Sequence, residues 1–263
     1  MIAILGAGKM GEALLSGLLR SGHDPADVVV SDARPERCAE LLESYGVKAL
    51  ANTEAAAAAE TLLLAVKPQD MPALLAEIAP HAGAVRLAIS IAAGVRTATI
   101  EEWLPATPVV RVMPNTPMLV GQGASVISAG SHATEEHLVQ TEELLRAVST
   151  VTRVPERHQD AATALSGSGP AYVYYLAESM IDAGVTMGLP RATARELTLQ
   201  TLTGAATLMR DSGEHPAVLR EAVTSPGGTT AAAVAELERR GVRSAVLDAI
   251  VKARDRGAEL AGE

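Results

Sequence analysis

Phenylalanine is missing from this chain of 263 residues, and one tryptophan and four tyrosines are its whole stock of aromatics. At 2% of the sequence they cannot form the core, which falls to Ala, Val, Leu and Ile, and they leave few platforms for stacking nucleobases. Cysteine is nearly absent too. The single Cys38 excludes an intramolecular disulfide and any zinc site of several thiolates, and it lies in a predicted surface helix as an ordinary small residue. Positive charge is in deficit. The 22 Lys and Arg face 31 Asp and Glu, and the net charge of −9 argues against binding a nucleic-acid backbone. No uncharged apolar run is long enough to span a bilayer, and no basic segment precedes a signal core. The expected location is the cytoplasm, with neither membrane nor nucleic acid as partner. What remains, 48% hydrophobic and 20% charged residues, describes a folded chain whose length suits two domains.

The richest stretch comes first. The apolar run Ile2-Ala3-Ile4-Leu5 ends in Gly6-Ala7-Gly8-Lys9-Met10-Gly11 and passes into Glu12–Leu19, which has helical spacing. In such a GxGxxG turn Gly6 permits the tight bend, Gly8 lets a pyrophosphate approach the backbone, and Gly11 lets the helix pack on the strand. The first amides of the helix are then free to hold an anion. The next apolar run, Val28–Ser31, ends at the acidic Asp32, which completes the context of a dinucleotide-binding fingerprint.

Alternation continues from there. A helix is predicted over 34–45, a strand over 47–50, and a helix over 53–60 with Asn52 or Thr53 as its cap. Strands at 61–66, 85–91 and 109–112 flank a helix at 71–78. This βα alternation implies a doubly wound, mostly parallel sheet, the Rossmann architecture. Strands at 124–129 and 150–154 around a helix at 134–148 close the first domain, 1–154. In such a sheet ligands bind beyond the carboxyl ends of the strands, which nominates the loops 6–11, 31–34, 66–69, 91–94 and 113–117 together.

From residue 155 to 263 the pattern is all helical, with helices predicted at 156–165, 169–187, 191–210, 215–222, 229–239 and 242–261. Val173, Leu176, Ala177, Met180, Ile181 and Gly184 make a stripe wide enough for either a bundle core or a subunit interface. Two small-residue stretches lead into helices here, Ser166-Gly167-Ser168-Gly169-Pro170-Ala171 and Thr224-Ser225-Pro226-Gly227-Gly228-Thr229-Thr230. Each is either a capped loop or a carboxylate site of free amides and hydroxyls.

With these two stretches in that order, and with Ala65–Gln69, Ser90–Val95 and Arg111–Pro117 before them, the chain resembles the pyrroline-5-carboxylate reductases over nearly its whole length. The resemblance implies reduction of Δ1-pyrroline-5-carboxylate to L-proline by hydride from a reduced nicotinamide, the last step of proline biosynthesis. It also implies an all-α dimerisation and substrate-binding domain, an intertwined dimer, and assembly to a decamer. Residue by residue, it assigns the substrate carboxylate to Ser225, Gly228 and Thr229. Thr230 is placed on the imine nitrogen as the catalytic residue, orienting or relaying rather than acting as a free acid. On the cofactor side it implies Gly6, Gly8, Lys9, Met10 and Gly11 at the pyrophosphate, and Asn52 near the adenosine. Ala65, Val66, Lys67 and Pro68 fall at the nicotinamide-side ribose, with Ala92, Ala93 and Gly94 near the nicotinamide. Lys67 also reads as a solvated loop lysine.

Cofactor choice is in tension. Asp32 has the spacing of an acid that binds a free ribose 2′-hydroxyl, whereas Arg34 and Ser31 suit a 2′-phosphate. The expectation is NADP(H) preferred, with NAD(H) possible. No metal is expected, because His132 and His137, five apart on a predicted helix, share no face. Two rivals remain: another imine or β-hydroxyacid reductase of the 6-phosphogluconate dehydrogenase-like group, and a non-catalytic NAD(P) sensor. The first group places a lysine early on its long interdomain helix, and residues 166–178 contain none.

Overall fold

In the computed structural model, which describes residues 1–260, the apolar runs become strands and the periodic segments helices. The order is β1 (Ile2–Leu5), α1 (Lys9–Arg20), β2 (Val28–Ser31), α2 (Pro35–Tyr45), β3 (Lys48–Ala49), α3 (Asn52–Ala58), β4 (Thr61–Leu64), α4 (Met71–Ile78), β5 (Leu87–Ser90), α5 (Thr97–Glu101), β6 (Val109–Met113), β7 (Gly123–Ala129), α6 (Glu135–Leu145) and β8 (Ser149–Arg153). Then follow α7 (Gln159–Ala162), α8 (Gly169–Thr186), α9 (Arg191–Ser212), α10 (Pro216–Ala222), α11 (Thr229–Arg239) and α12 (Val242–Leu260). Residue 261, the end of the last predicted helix, and residues 262–263, the end of the predicted second domain, lie outside the described residues.

The eight strands form one sheet in the order β3-β2-β1-β4-β5-β6-β7-β8. All neighbours are parallel except β6 and β7. Period-two alternation divides the core between the two faces. Ile4, Val28 and Val30 pack with Leu14, Leu15 and Leu18 of α1 and Leu144 and Leu145 of α6. Ala3, Leu5 and Val29 pack on the other face with Ala55 and Ala56 of α3 and Leu75 and Ile78 of α4. Each fully buried Leu or Ile contributes about 2 kcal/mol of apolar transfer, so this two-sided burial needs no aromatic ring. The crevice that matters opens between β1 and β4, where the strand order reverses direction.

Three local expectations are corrected. Asn52 and Thr53 do not cap α3. Ala51 is the cap residue and its N–H is met by the Glu54 carboxylate at 3.3 Å, which leaves the Asn52 side chain to bond elsewhere. His132 lies before α6 rather than on it, and His137 instead bonds the Thr134 N–H at 3.0 Å at the start of that helix. The break expected between helices at 165 and 169 is bridged by a π-helical turn, Thr163–Gly167, in which the Ser168 N–H donates to the Thr163 carbonyl at 2.9 Å. The Ser168 amide, one of those that the carboxylate reading of this stretch would need free, is therefore engaged.

Helix α5 was not expected at all. Glu156, 59 residues away in sequence, accepts from the Thr97 N–H at 2.8 Å and its hydroxyl at 2.7 Å, so a distant carboxylate satisfies the helix start. Glu156 also meets the buried Arg111 of β6 at 3.3 Å, and Asp160 meets it at 3.6 Å.

Two compact units divide the chain. One is Met1–Ser168 together with the chain from Ala253 onward, and the other is Gly169–Lys252. In the second unit α8 and α9 pack closely because Gly184 leaves room for Ala194: a Cβ on Gly184 would stand 2.9 Å from that methyl. Of the predicted stripe, Ala177 and Gly184 are buried, Met180 and Ile181 are half-buried, and Val173 and Leu176 stay exposed. Among the described residues, no helix is long and apolar enough to cross a membrane.

Candidate active site

Gly6 adopts φ +95°, and a Cβ there would stand 2.7 Å from the backbone of Ala65 and Val66 at the end of β4. Gly11 is as constrained. A Cβ on it would come within 2.3 Å of the Gly6 carbonyl oxygen. Gly8, between them, has open space where its Cβ would be, and as the N-cap of α1 it brings no side-chain hydrogen bond to the helix start. The two outer glycines thus satisfy packing, whereas the middle one leaves a gap in front of uncapped amides. That gap fits the pyrophosphate of a dinucleotide.

The loop is braced from outside. Arg37 of α2 donates from Nε to the Ala7 carbonyl at 2.9 Å, and its guanidinium also pairs with Glu12 and Glu40. The Glu12 carboxylate, beside the glycine turn, is thereby paired with a cation. Tyr45 adds a hydrogen bond to Glu12 at 3.1 Å.

In front of the loop lies a cleft of about 820 Å³. Of the predicted residues, Gly6, Gly8, Ser31, Asp32, Arg34, Asn52, Ala65, Val66 and Lys67 line it. Lys9, Met10 and Gly11 belong to the first turn of α1 and do not line it. Pro68 starts the 3₁₀ turn Pro68–Asp70 just behind Lys67. Ala92, Ala93 and Gly94 follow β5, one strand further along the same edge, outside the cleft.

Ala33 and Gln69, within the nominated loops 31–34 and 66–69, line the cleft as well. Sequence reasoning missed the rest of this lining, Asp70, Ala73, Leu74 and Glu77, at and beyond the start of α4. The only signal for them was the position of α4 directly after the 66–69 loop.

Charges on the cleft are opposed. Asp32 accepts from the Arg34 backbone N–H and from its Nε, both at 3.0 Å. Burial pushes the Asp32 carboxyl upward, but the Arg34 hydrogen bonds and charge outweigh it and hold the group below its ordinary value. The Arg34 side chain is 64% exposed, so the pair is a weak surface bridge and the guanidinium is free to turn to another anion.

In the second unit, Ser225-Pro226-Gly227-Gly228 forms a β-turn. The Gly228 N–H donates to the Ser225 carbonyl at 3.0 Å, and Gly227 has φ +69° after proline, as a type II turn requires. Gly228 is the N-cap of α11 and gives no side-chain cap, and a Cβ on it would stand 2.5 Å from Ser225 Oγ. The serine hydroxyl is thus held over an open helix start, with exposed Thr229 and half-buried Thr230 on its first turn. Such a start can grip a small carboxylate. The other small-residue stretch does different work. The Ser166 carbonyl accepts from Asn115 Nδ2 at 3.0 Å, tying the π turn to the loop after β6.

Fold and cleft together define a protein of the dinucleotide-binding Rossmann class with an all-helical second half. Residues 1–94 match the family model "NADP oxidoreductase coenzyme F420-dependent", and residues 156–260 match "Pyrroline-5-carboxylate reductase dimerisation". The pyrroline-5-carboxylate reductase of Corynebacterium melassecola is 44% identical over 264 residues, covering 98% of each chain. Among solved structures, the enzyme from Coxiella burnetii superposes with a TM-score of 0.93 at 35% identity, covering 98% of this chain and 97% of that one. The Plasmodium falciparum enzyme with NADP bound gives 0.88 at 29% identity, covering 99% and 97%. The chain belongs to the pyrroline-5-carboxylate reductase family. It is an oxidoreductase and forms homo-oligomers through its helical domain.

Proposed function

We infer that the chain reduces Δ1-pyrroline-5-carboxylate to L-proline with NAD(P)H, preferring NADPH and accepting NADH. What supports this most is full-length identity of 44% to an enzyme of that name, joined to a cleft shaped for the cofactor and a helix start shaped for a carboxylate. When bound, the reduced nicotinamide supplies a hydride. A protonated imine that took up the hydride at carbon would leave as the secondary amine, its C=N electron pair moved to nitrogen.

The chain's own residues then have three tasks. Gly8 and the first amides of α1, with Lys9, Met10 and Gly11, hold the pyrophosphate. Ala65 to Pro68 hold the nicotinamide-side ribose, and Ala92 to Gly94 border the ring. Ser225 and the amides of Gly228 and Thr229 take the substrate carboxylate, which leaves the Thr230 hydroxyl to orient the imine nitrogen. A threonine hydroxyl is too weak an acid to be the proton source, so the imine arrives protonated. We assign residues 1–154 to cofactor binding and 155–263 to dimerisation and substrate binding. The working particle is an intertwined dimer, assembled to a decamer in the cytoplasm.

The test follows nicotinamide absorbance with purified protein, the imine, and NADPH or NADH in parallel. Oxidation that depends on the imine is expected with both, faster with NADPH. Tight nucleotide binding with no imine-dependent oxidation would defeat this reading.

A further inference from the structure

A hydrogen-bonded chain along the lining of the cleft links three elements. Ser31 Oγ, at the end of β2, donates to Asn52 Oδ1 at 2.8 Å, and Asn52 Nδ2 donates to Glu77 Oε2 at 2.9 Å. Its direction is set at the Glu77 end. A carboxylate offers only acceptors, so the Asn52 amide must turn its NH₂ toward it. The amide oxygen then faces Ser31, and Ser31 spends its single proton on Asn52. What the nearly buried Ser31 has left for the cleft is lone pairs. A hydroxyl in that state suits a group with a proton to give, such as a ribose 2′-hydroxyl. It does not suit a phosphate, whose oxygens are acceptors too.

We propose that Glu77 is a specificity-determining residue. Through Asn52 it holds Ser31 as an acceptor, which favours a dinucleotide with a free ribose 2′-hydroxyl over one with a 2′-phosphate. This rests on the cleft being the dinucleotide site. Arg34 acts in the opposite sense, and the balance between the two keeps both cofactors usable.

Glu77→Gln tests the polarity. Glutamine presents a carbonyl as well as an NH₂, so Asn52 can turn over, donate to Ser31, and free the serine proton for a phosphate. On the full chain, calorimetry gives the affinities for NADP⁺ and NAD⁺, and kcat/KM is measured with NADPH and NADH. E77Q should raise the NADP-to-NAD affinity ratio roughly threefold to tenfold, the net worth of one ordinary hydrogen bond. Adding Ser31→Ala should erase that gain, because the two residues act in one chain. An unchanged ratio in E77Q, or a gain that survives in the double variant, overturns the proposal. A shifted affinity ratio without imine-dependent oxidation in any variant supports Glu77 and defeats the reductase reading instead.

Discussion

Arg34 is the residue on which cofactor choice turns most directly. Its guanidinium rests against Asp32 in an exposed pair, and a 2′-phosphate offers a stronger, bidentate partner. Arg34→Ala should therefore raise KM for NADPH about tenfold and change KM for NADH little, as read by steady-state kinetics. Equal effects would remove Arg34 from the phosphate. The Asp32 carboxyl is held below its ordinary value, so the stability it contributes is complete above that value and is lost only as pH falls through the lowered one. Its charge is constant across neutral pH. Thr230→Ala should lower kcat about tenfold to a hundredfold through misorientation while leaving the NADPH dissociation constant unchanged; a large loss of cofactor affinity would contradict that role. At this scale the sequence was legible where function shapes a motif. The positions of Ser31, Asp32 and Arg34 on the cleft follow from spacing after the glycine turn, but Ser31, expected to suit a 2′-phosphate, spends its proton on Asn52. Asn52 was misread as a helix cap, and Glu77 and Arg37 were invisible, because their partners lie 25 and 30 residues away and no local pattern records them.

At the scale of elements, the glycine turn separates folding from binding within six residues. Gly11→Ala forces a methyl toward the Gly6 carbonyl and should lower stability by about 1–3 kcal/mol, seen as a drop in Tm. Gly8→Ala meets open space, so Tm should hold while dinucleotide affinity falls. A matching Tm loss in both variants would mean that Gly8 serves packing instead. The strands were readable from continuous apolar runs, since burial on both faces imposes that composition. Helix α5 was not, because its first turn depends on Glu156, and the π turn at Thr163–Gly167 was not, because no sequence periodicity separates it from two capped helices.

For the whole molecule, the helical unit carries the signal of assembly. Val173, Tyr174, Tyr175 and Leu176 of α8 stand half or more exposed in the single chain, within the segment that matches the dimerisation model. Leu176→Glu places a charge in that face and should shift the particle mass by light scattering from oligomer toward monomer, or lower Tm with it. An unchanged mass and Tm would exclude this face from the interface. The division into units has a further bearing on biogenesis. Every strand of the sheet is in place by Arg153, yet the unit that contains it also takes in the last turns of α12, where Gly257 lies against Asp160. During translation, then, the unit that holds the sheet is complete only once α12 has left the ribosome, and a fragment cut after Ser168 would lack that unit's last helical turns.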